Sequence, residues 1–552
     1  MTRRRLPIGL QSFREVREEN CYYVDKTAHI GRLLDEGKHY FLSRPRRFGK
    51  SLFLDTCKEL FEGNEALFRE LAIHDRWDWS VRYPVLRLSF GSGHFQRPDD
   101  LRVEVDDRLR DLEDAAAISA RHVGASARLR HLIEALHGKT GHRVAVLIDE
   151  YDKPILDALE TPEVARTNRD FLRGLYAVVK DCDAHILFSF ITGVSKFSKV
   201  SLFSGLNNLR DITLNPDYSS ICGYTDVDLD TVFAPELPDL DRDQIRDWYN
   251  GYSWRGDESV YNPYDILLLF DSREFAAHWF ETGTPAFLVD TLFERRVSAL
   301  SLDDMVSSGE LLSTFDVGDM PTEALLFQTG YLTITGEEPR GGEMFYRLGY
   351  PNREVRQSLN RSLANRMTGD ASKRAAHSAR LYDLLLANDF DALSELFDAF
   401  FASIPHQWYT NNDIAHYECP TASAFGSACG PAPLDSHGTT ASGRCRSTDA
   451  FVPWEGFYAS VFYSYFAGLG LDVTVEDSSS HGRLDMAICF NRNVYLFEFK
   501  VVELAPEGAA MARLRCRRYA DKYRDRGEPI HLVAVEFSRE ERNLVAFEVQ
   551  RA

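Results

Sequence analysis

Two groups of residues have types and spacing that could do chemistry. The first is Arg44-Pro45-Arg46-Arg47-Phe48-Gly49-Lys50-Ser51, followed much later by Asp149-Glu150 and Thr192. A glycine-lysine-hydroxyl triplet between a strand and a helix can cradle phosphates. The glycine turns backbone amides toward the oxygens, the lysine neutralises them, and the hydroxyl ligates Mg2+. Gly49, Lys50 and Ser51 form that triplet, and Arg46 and Arg47 add charge where a triphosphate would lie. Arg44 stands where the usual pattern has its first glycine. An aspartate ending a buried strand can hold Mg2+ through water, and an adjacent glutamate can polarise the attacking water. Asp149 and Glu150 suit those roles, and Thr192 at the end of a later strand is placed to sense the terminal phosphate. The expected ligand is ATP or GTP with Mg2+. Its hydrolysis stays open, because the first glycine is missing and no partner arginine can be assigned.

The second group is Asp485 with Glu498 and Lys500, in Gly482-Arg483-Leu484-Asp485 and Leu496-Phe497-Glu498-Phe499-Lys500-Val501. On a strand alternate residues share a face, so Glu498 and Lys500 point one way and Phe497, Phe499 and Val501 the other. An acid and a lysine in an otherwise apolar strand need a reason, since unpaired burial is costly. Asp485 on an antiparallel neighbour would bring a second carboxylate to the same spot. Two carboxylates suit Mg2+ or Mn2+, and a lysine beside them can orient or deprotonate water for attack on a phosphodiester. Glu476 or Glu455 could add a ligand, with Glu418 a weaker candidate. A buried Glu–Lys ion pair is the plainer alternative. Downstream, Arg513, Arg515, Arg517, Arg518, Lys522, Arg524 and Arg526 make a basic stretch with Tyr519 and Tyr523 that could grip a nucleic-acid backbone or simply form a solvated helix face.

The elements that must position these residues are legible as patterns. His39–Leu42, Val144–Ile148 and Ile186–Ile191 are apolar runs of buried-strand type, separated by stretches of helical periodicity such as Asp170–Lys180. That alternation predicts an α/β sheet of βαβ units. From about Asp217 to Gly342 the pattern changes to short helices rich in aromatics, including Trp248–Tyr252 and Trp279–Gly283, which read as core packing. Ala364–Ala402 reads as helical. In Cys419–Glu455, 23 of 37 residues are Gly, Pro, Ser, Thr or Ala, so the segment cannot bury much and reads as a low-complexity insertion or linker. A helix over Phe457–Leu469 and strands at Asp472–Glu476, Leu484–Phe490, Val494–Val501 and His531–Phe537 follow.

The chain has 552 residues, too many for a single core. Its 64 Lys and Arg against 84 Asp and Glu leave a net charge of −20, which disfavours indiscriminate nucleic-acid binding while allowing a local basic patch. No apolar run approaches the length of a membrane span, and the apolar run after Arg3-Arg4-Arg5 is too short for a signal peptide. Nine cysteines without a CxxC pair point to reduced thiols and a cytoplasmic location, with no membrane partner. Cys419, Cys429, Cys445 and His437 lack metal-ligand spacing.

Tyr23–Thr27, Arg44–Ser51, Leu147–Asp152 and Phe190–Phe197 occur in that order, followed by Trp248–Tyr252, Leu326–Leu332 and the Asp485, Glu498, Lys500 set. Together they closely resemble the AAA-ATPase-like proteins of bacteria and some archaea that carry a C-terminal PD-(D/E)XK nuclease-superfamily domain. The resemblance spans nearly the whole chain, and Arg44 looks like that family's own variant of the loop. It implies an α/β multidomain fold: a P-loop NTPase domain over 1–216, a helical and winged-helix-like region over 217–362 and a helical connector over 363–418. The insertion over 419–455 and a restriction-endonuclease-like α/β domain over 456–552 complete it. It also implies nucleotide and Mg2+ at Lys50, Ser51 and Asp149, hydrolysis through Glu150, and a nuclease triad of Asp485, Glu498 and Lys500. Two departures stand out: Arg513 takes the place of an expected glutamine, and 419–455 interrupts the approach to the last domain. The expectation is an ATP-binding module that regulates a Mg2+-dependent nuclease-like domain acting on DNA, with an oligomer compatible. A non-nucleolytic ATP-dependent switch that binds nucleic acid or a protein partner is the alternative.

Overall fold

The computed structural model describes residues 3–197, 202, 208–256, 258–283, 286–295, 297–312, 317, 320–368, 371–402, 453–479, 482–541 and 543–552. The low-complexity insertion therefore lies almost wholly outside the described residues, together with Glu418 and three of the cysteines considered above, Cys419, Cys429 and Cys445. The chain divides into two compact units, Met1–Leu292 with Ser301–Leu359, and Phe293–Leu300 with Asn360–Ala552.

The first unit is built on a parallel sheet of β1 (His39–Ser43), β2 (Val85–Ser89), β3 (Val144–Asp149), β4 (Ile186–Gly193) and β5 (Arg210–Asp211), in the order β2-β3-β4-β1-β5. Val144 through Ile148 are fully buried, as an unbroken apolar run covered on both faces requires. Helices Lys50–Phe61, Asp100–Ala116, Ala125–Thr140 and Pro162–Asp181 accompany the sheet. The order has a consequence for chemistry: β4 runs between β1 and β3, with Leu42 beside Thr192 and Ile148 beside Ile191. The loop after β1 and the acids ending β3 thus flank the end of β4. Short helices follow, among them Arg242–Tyr249, Pro263–Ser272, His278–Gly283 and Thr322–Thr329. A small antiparallel sheet, in the order β6 (Met305–Ser308), β8 (Glu343–Gly349), β7 (Thr333–Arg340), closes the unit.

The second unit holds a five-stranded sheet ordered β13 (Leu544–Arg551), β12 (Ile530–Ser538), β11 (Asn493–Val502), β10 (Gly482–Phe490), β9 (Asp472–Ser479). β11 and β12 are parallel, and the other neighbours are antiparallel. One face carries helix Pro453–Gly468: Phe462 packs against Phe497 and Phe499, and Tyr458 stacks on Phe537 with ring centres 3.8 Å apart. The other face carries helix Ala509–Arg517, whose Ala510, Met511 and Leu514 share a core with Val494 and Leu496. Alternation along β11 therefore puts Glu498 and Lys500 on the side of the second helix. The helical run expected over Ala364–Ala402 is broken at Asn388, which takes the left-handed conformation (φ 54°) between helices Ala371–Ala387 and Phe390–Ala402. Among the described residues no helix is long and apolar enough to cross a membrane.

Candidate nucleotide and nuclease-like sites

The loop from Arg44 to Gly49 leaves the end of β1 and enters helix Lys50–Phe61. Gly49 has φ 91°, a left-handed conformation that a glycine adopts without the cost other residues bear, and a Cβ there would meet nothing within 4 Å. Backbone conformation alone therefore asks for glycine. Lys50 is buried, and its Nζ donates to the carbonyls of Arg44 and Pro45, each at 2.8 Å. Burial pulls the ammonium below its ordinary value, against the opposing charges of Asp149, Glu150 and Asp152. Arg46 and Arg47 are exposed, and Ser51 lies in the first helical turn.

Arg44 points into the protein. It is 1% exposed, donates to the carbonyls of Ser43, Thr213 and Tyr218, and lies 4.1 Å from the ring centre of Trp254. Burial lowers its guanidinium to about 10. The residue in the first glycine position is thus a pillar under the loop. The aromatic segment supplies the rest of the support. Phe48 meets Tyr252 and Trp254 edge-on, and its carbonyl accepts from Gly223 N–H. Trp279 Nε1 donates to the Arg46 carbonyl at 3.1 Å, and the Arg47 guanidinium lies 4.8 Å from the ring centre of Tyr264. Pro45 packs so closely on Gly330 that a Cβ there would fall 2.7 Å from its ring. Behind Trp279, the Glu354 carboxylate accepts the backbone N–H of Trp279 and Phe280. Burial, then the charge of Glu354, pushes Asp265 well above the carboxylate range.

Thr192 donates to Asp149 Oδ1 at 2.8 Å, so β4's hydroxyl and β3's acid meet beside the loop. Glu150 sits in a left-handed turn (φ 52°), its carboxyl raised by burial and by Asp149 against the pull of Lys50. Asp152 belongs to the Leu147–Asp152 motif, whose pattern predicts no role for it. It is buried, and one of its oxygens accepts from Val194 N–H, Ser195 N–H and Ser195 Oγ–H. This fixes the exit of β4. Gly193 has no room for a side chain, since a Cβ would lie 2.4 Å from Asp152 Oδ1 and 2.5 Å from the Tyr151 ring. The oxygen donors Ser51 and Asp149 and the cation Lys50 fit a Mg2+–triphosphate.

In the second unit the β10–β11 register begins at Met486 opposite Phe497, and Asp485 Oδ2 accepts Phe499 N–H at 2.8 Å. This ties Asp485 to the strand that carries Glu498 and Lys500. Glu498 is fully buried, and Arg513 Nε stands 2.8 Å from its Oε1. Burial draws the Arg513 guanidinium down, but the charges of Glu498 and Asp485 outweigh it and leave it raised. Glu536, which the sequence did not single out, lies beside Lys500 on β12. Its carboxylate accepts the N–H groups of Glu507, Gly508 and Ala510, so it anchors the start of the helix that carries Arg513. The carboxylates of Asp485 and Glu498 suit a hard divalent ion. Among the described residues, however, no group of three or more His, Cys, Asp or Glu is placed to hold one. The further candidate ligands, Glu418 and the side chains of Glu455 and Glu476, lie outside the described residues.

The basic stretch divides by burial. Tyr519 and Tyr523 are buried in the core below it, so neither offers a stacking face. Arg515 bonds Gln550, Arg518 and Arg524 pair with Asp521, and Arg526 pairs with Glu528.

Residues 7–203 match the family model described as Predicted AAA-ATPase, and residues 454–547 match that of the PD-(D/E)XK nuclease superfamily. The chain is 55% identical over 551 residues to a protein of Azotobacter chroococcum mcd 1 described as an uncharacterized protein in the vnfD 5' region. The match covers 100% of this chain and 99% of that protein.

Proposed function

This chain belongs to the AAA-ATPase-like proteins that end in a PD-(D/E)XK nuclease-superfamily domain, and from that premise we propose that it binds ATP with Mg2+ and couples it to phosphodiester cleavage in DNA. In this reading Lys50, Arg46, Arg47 and the amides around Gly49 take the phosphates. Ser51 and Asp149 hold Mg2+, Glu150 receives the proton of the attacking water, and Thr192 orients Asp149. Asp485 and Glu498 hold the nuclease metal, which supplies Lewis-acid polarisation when bound. Lys500 orients the water beside them. The nucleotide module over 1–216 regulates the nuclease-like domain over 456–552. The observation that supports the reading best is the meeting of Thr192 with Asp149 beside the Lys50 loop.

The test is cleavage of single- and double-stranded DNA and RNA by purified protein with Mg2+ or Mn2+, with and without ATP. Metal-dependent cleavage lost in Lys500→Ala and altered by ATP is the expected result. Folded protein that cleaves nothing would leave the second reading, an ATP-controlled switch that binds nucleic acid or a protein partner without cutting. The Arg513–Glu498 contact favours that reading, because it already occupies a metal-binding carboxylate.

A further inference from the structure

Arg513 gives the nuclease-like site a balance of charge that a metal would have to disturb. Asp485 and Glu498 contribute two negative charges and Lys500 and Arg513 two positive ones, while the Glu536 carboxylate beside Lys500 is turned to backbone N–H groups. Glu498 has no exposed surface, so its ionised form needs a partner, and Arg513 Nε at 2.8 Å is one. A divalent ion entering while the guanidinium stays would meet a carboxylate pair already compensated by two cations. Entering after it leaves, the ion meets a site with one positive charge fewer.

The surroundings say which part can move. The start of the helix is held by Glu536 through three backbone N–H groups, so its position is set by the sheet. The Arg513 side chain is long and 38% exposed, with a path toward solvent. A guanidinium that leaves a carboxylate is satisfied best by another planar pair of oxygens, and a phosphodiester offers one. We infer that Arg513 is an exchangeable counter-ion that holds Glu498 until a nucleic-acid phosphate draws it away, so that phosphate and divalent metal bind this site cooperatively. The inference rests on the reading of Asp485 and Glu498 as metal ligands. Linkage makes the effect reciprocal: the phosphate tightens metal binding by the factor by which metal tightens phosphate binding.

The test needs no turnover. Mn2+ binding to the full chain is measured by calorimetry and by the electron paramagnetic resonance signal of free Mn2+, with and without a phosphorothioate DNA oligonucleotide. Wild type should bind Mn2+ weakly alone and roughly 5- to 150-fold more tightly with the oligonucleotide, the usual span of coupling between sites. Arg513→Gln should bind Mn2+ more tightly than wild type without the oligonucleotide and gain little from it. Arg513→Lys keeps the charge and should keep the weak binding, which guards against a folding defect in the glutamine variant. Equal affinity in wild type and Arg513→Gln, with binding lost in Asp485→Ala, would overturn the counter-ion and leave the metal site standing. No Mn2+ bound by any variant, with or without DNA, would remove the metal site and the counter-ion with it.

Discussion

In the first unit the lysine of the phosphate loop donates to two neutral carbonyls, whereas in the second the arginine beside the acidic strand pair is held by a carboxylate. Lys50 gives up only replaceable dipolar contacts when an anion arrives. Arg513 must break an ion pair with a fully buried partner. On the proposed reading the loop receives a charged ligand directly, and the nuclease-like site works by exchange. The supports differ in the same sense. Six consecutive loop residues, Arg44 to Gly49, are fixed by partners scattered across the aromatic segment, by packing and by the turn at Gly49. Arg513 rides on a helix fixed at its start by one carboxylate, Glu536.

The largest effect that would sharpen this comparison is expected at Glu150. If it receives the proton of the attacking water, Glu150→Gln should keep ATP binding and lower hydrolysis by roughly 10²- to 10⁴-fold, read as phosphate release. Its carboxyl is raised, and only the ionised form accepts a proton, so wild-type hydrolysis should climb with pH above the ordinary glutamate range and the variant should lose that limb. The sign for stability is opposite. The folded state holds this proton more tightly than the unfolded chain, so Glu150 favours folding at low pH and loses that contribution as pH rises through the raised value.

Next comes Arg44. Arg44→Gly moves the loop toward the usual phosphate-binding pattern yet should destabilise the first unit by about 3 kcal/mol or more, because the buried carbonyls of Ser43, Thr213 and Tyr218 lose a donor. Thermal and denaturant melts check it, and an unchanged melt would mean that the loop is not held from beneath. Lys50→Ala should abolish the stabilisation ATP gives, which at a hundred times Kd is about 2.7 kcal/mol in wild type, read as a ligand-induced shift in Tm. The smallest change is expected for Tyr264→Leu. Losing the ring beside Arg47 should cost about 0.5–1 kcal/mol, seen as a few-fold rise in the Kd for ATP.

The parts of both sites that depend on neighbours in sequence were legible. Gly49-Lys50-Ser51 announced a loop entering a helix, and the apolar runs ending in Asp149 and in Thr192-Gly193 announced buried parallel strands. Period-two alternation placed Glu498 and Lys500 on one face of β11. What escaped depends on contacts across long stretches of chain. The sequence shows Arg44 only as a departure at the first glycine position, and Thr213, Tyr218 and Trp254 reveal that it turns inward. Tyr519 and Tyr523 sit among arginines in a stretch that reads as a grip on a nucleic-acid backbone or as a solvated helix face. The turn over Tyr519–Arg526 instead rotates both rings into the core while the cations stay outside. Glu536 lies in an apolar strand, and nothing local says that it caps a helix some 27 residues earlier.

The scaffolding under the phosphate loop also sets a schedule. Residues 44–49 leave the ribosome before their supports: the indole that holds the Arg46 carbonyl follows 233 residues later, and Gly330 later still. At roughly 5–20 residues per second of synthesis, the motif waits some 15 to 60 s for its supports. A nascent chain therefore carries the sequence signature of a phosphate loop well before it owns the supports, and if the loop binds ATP as proposed, the order of the residues disfavours its capture during translation.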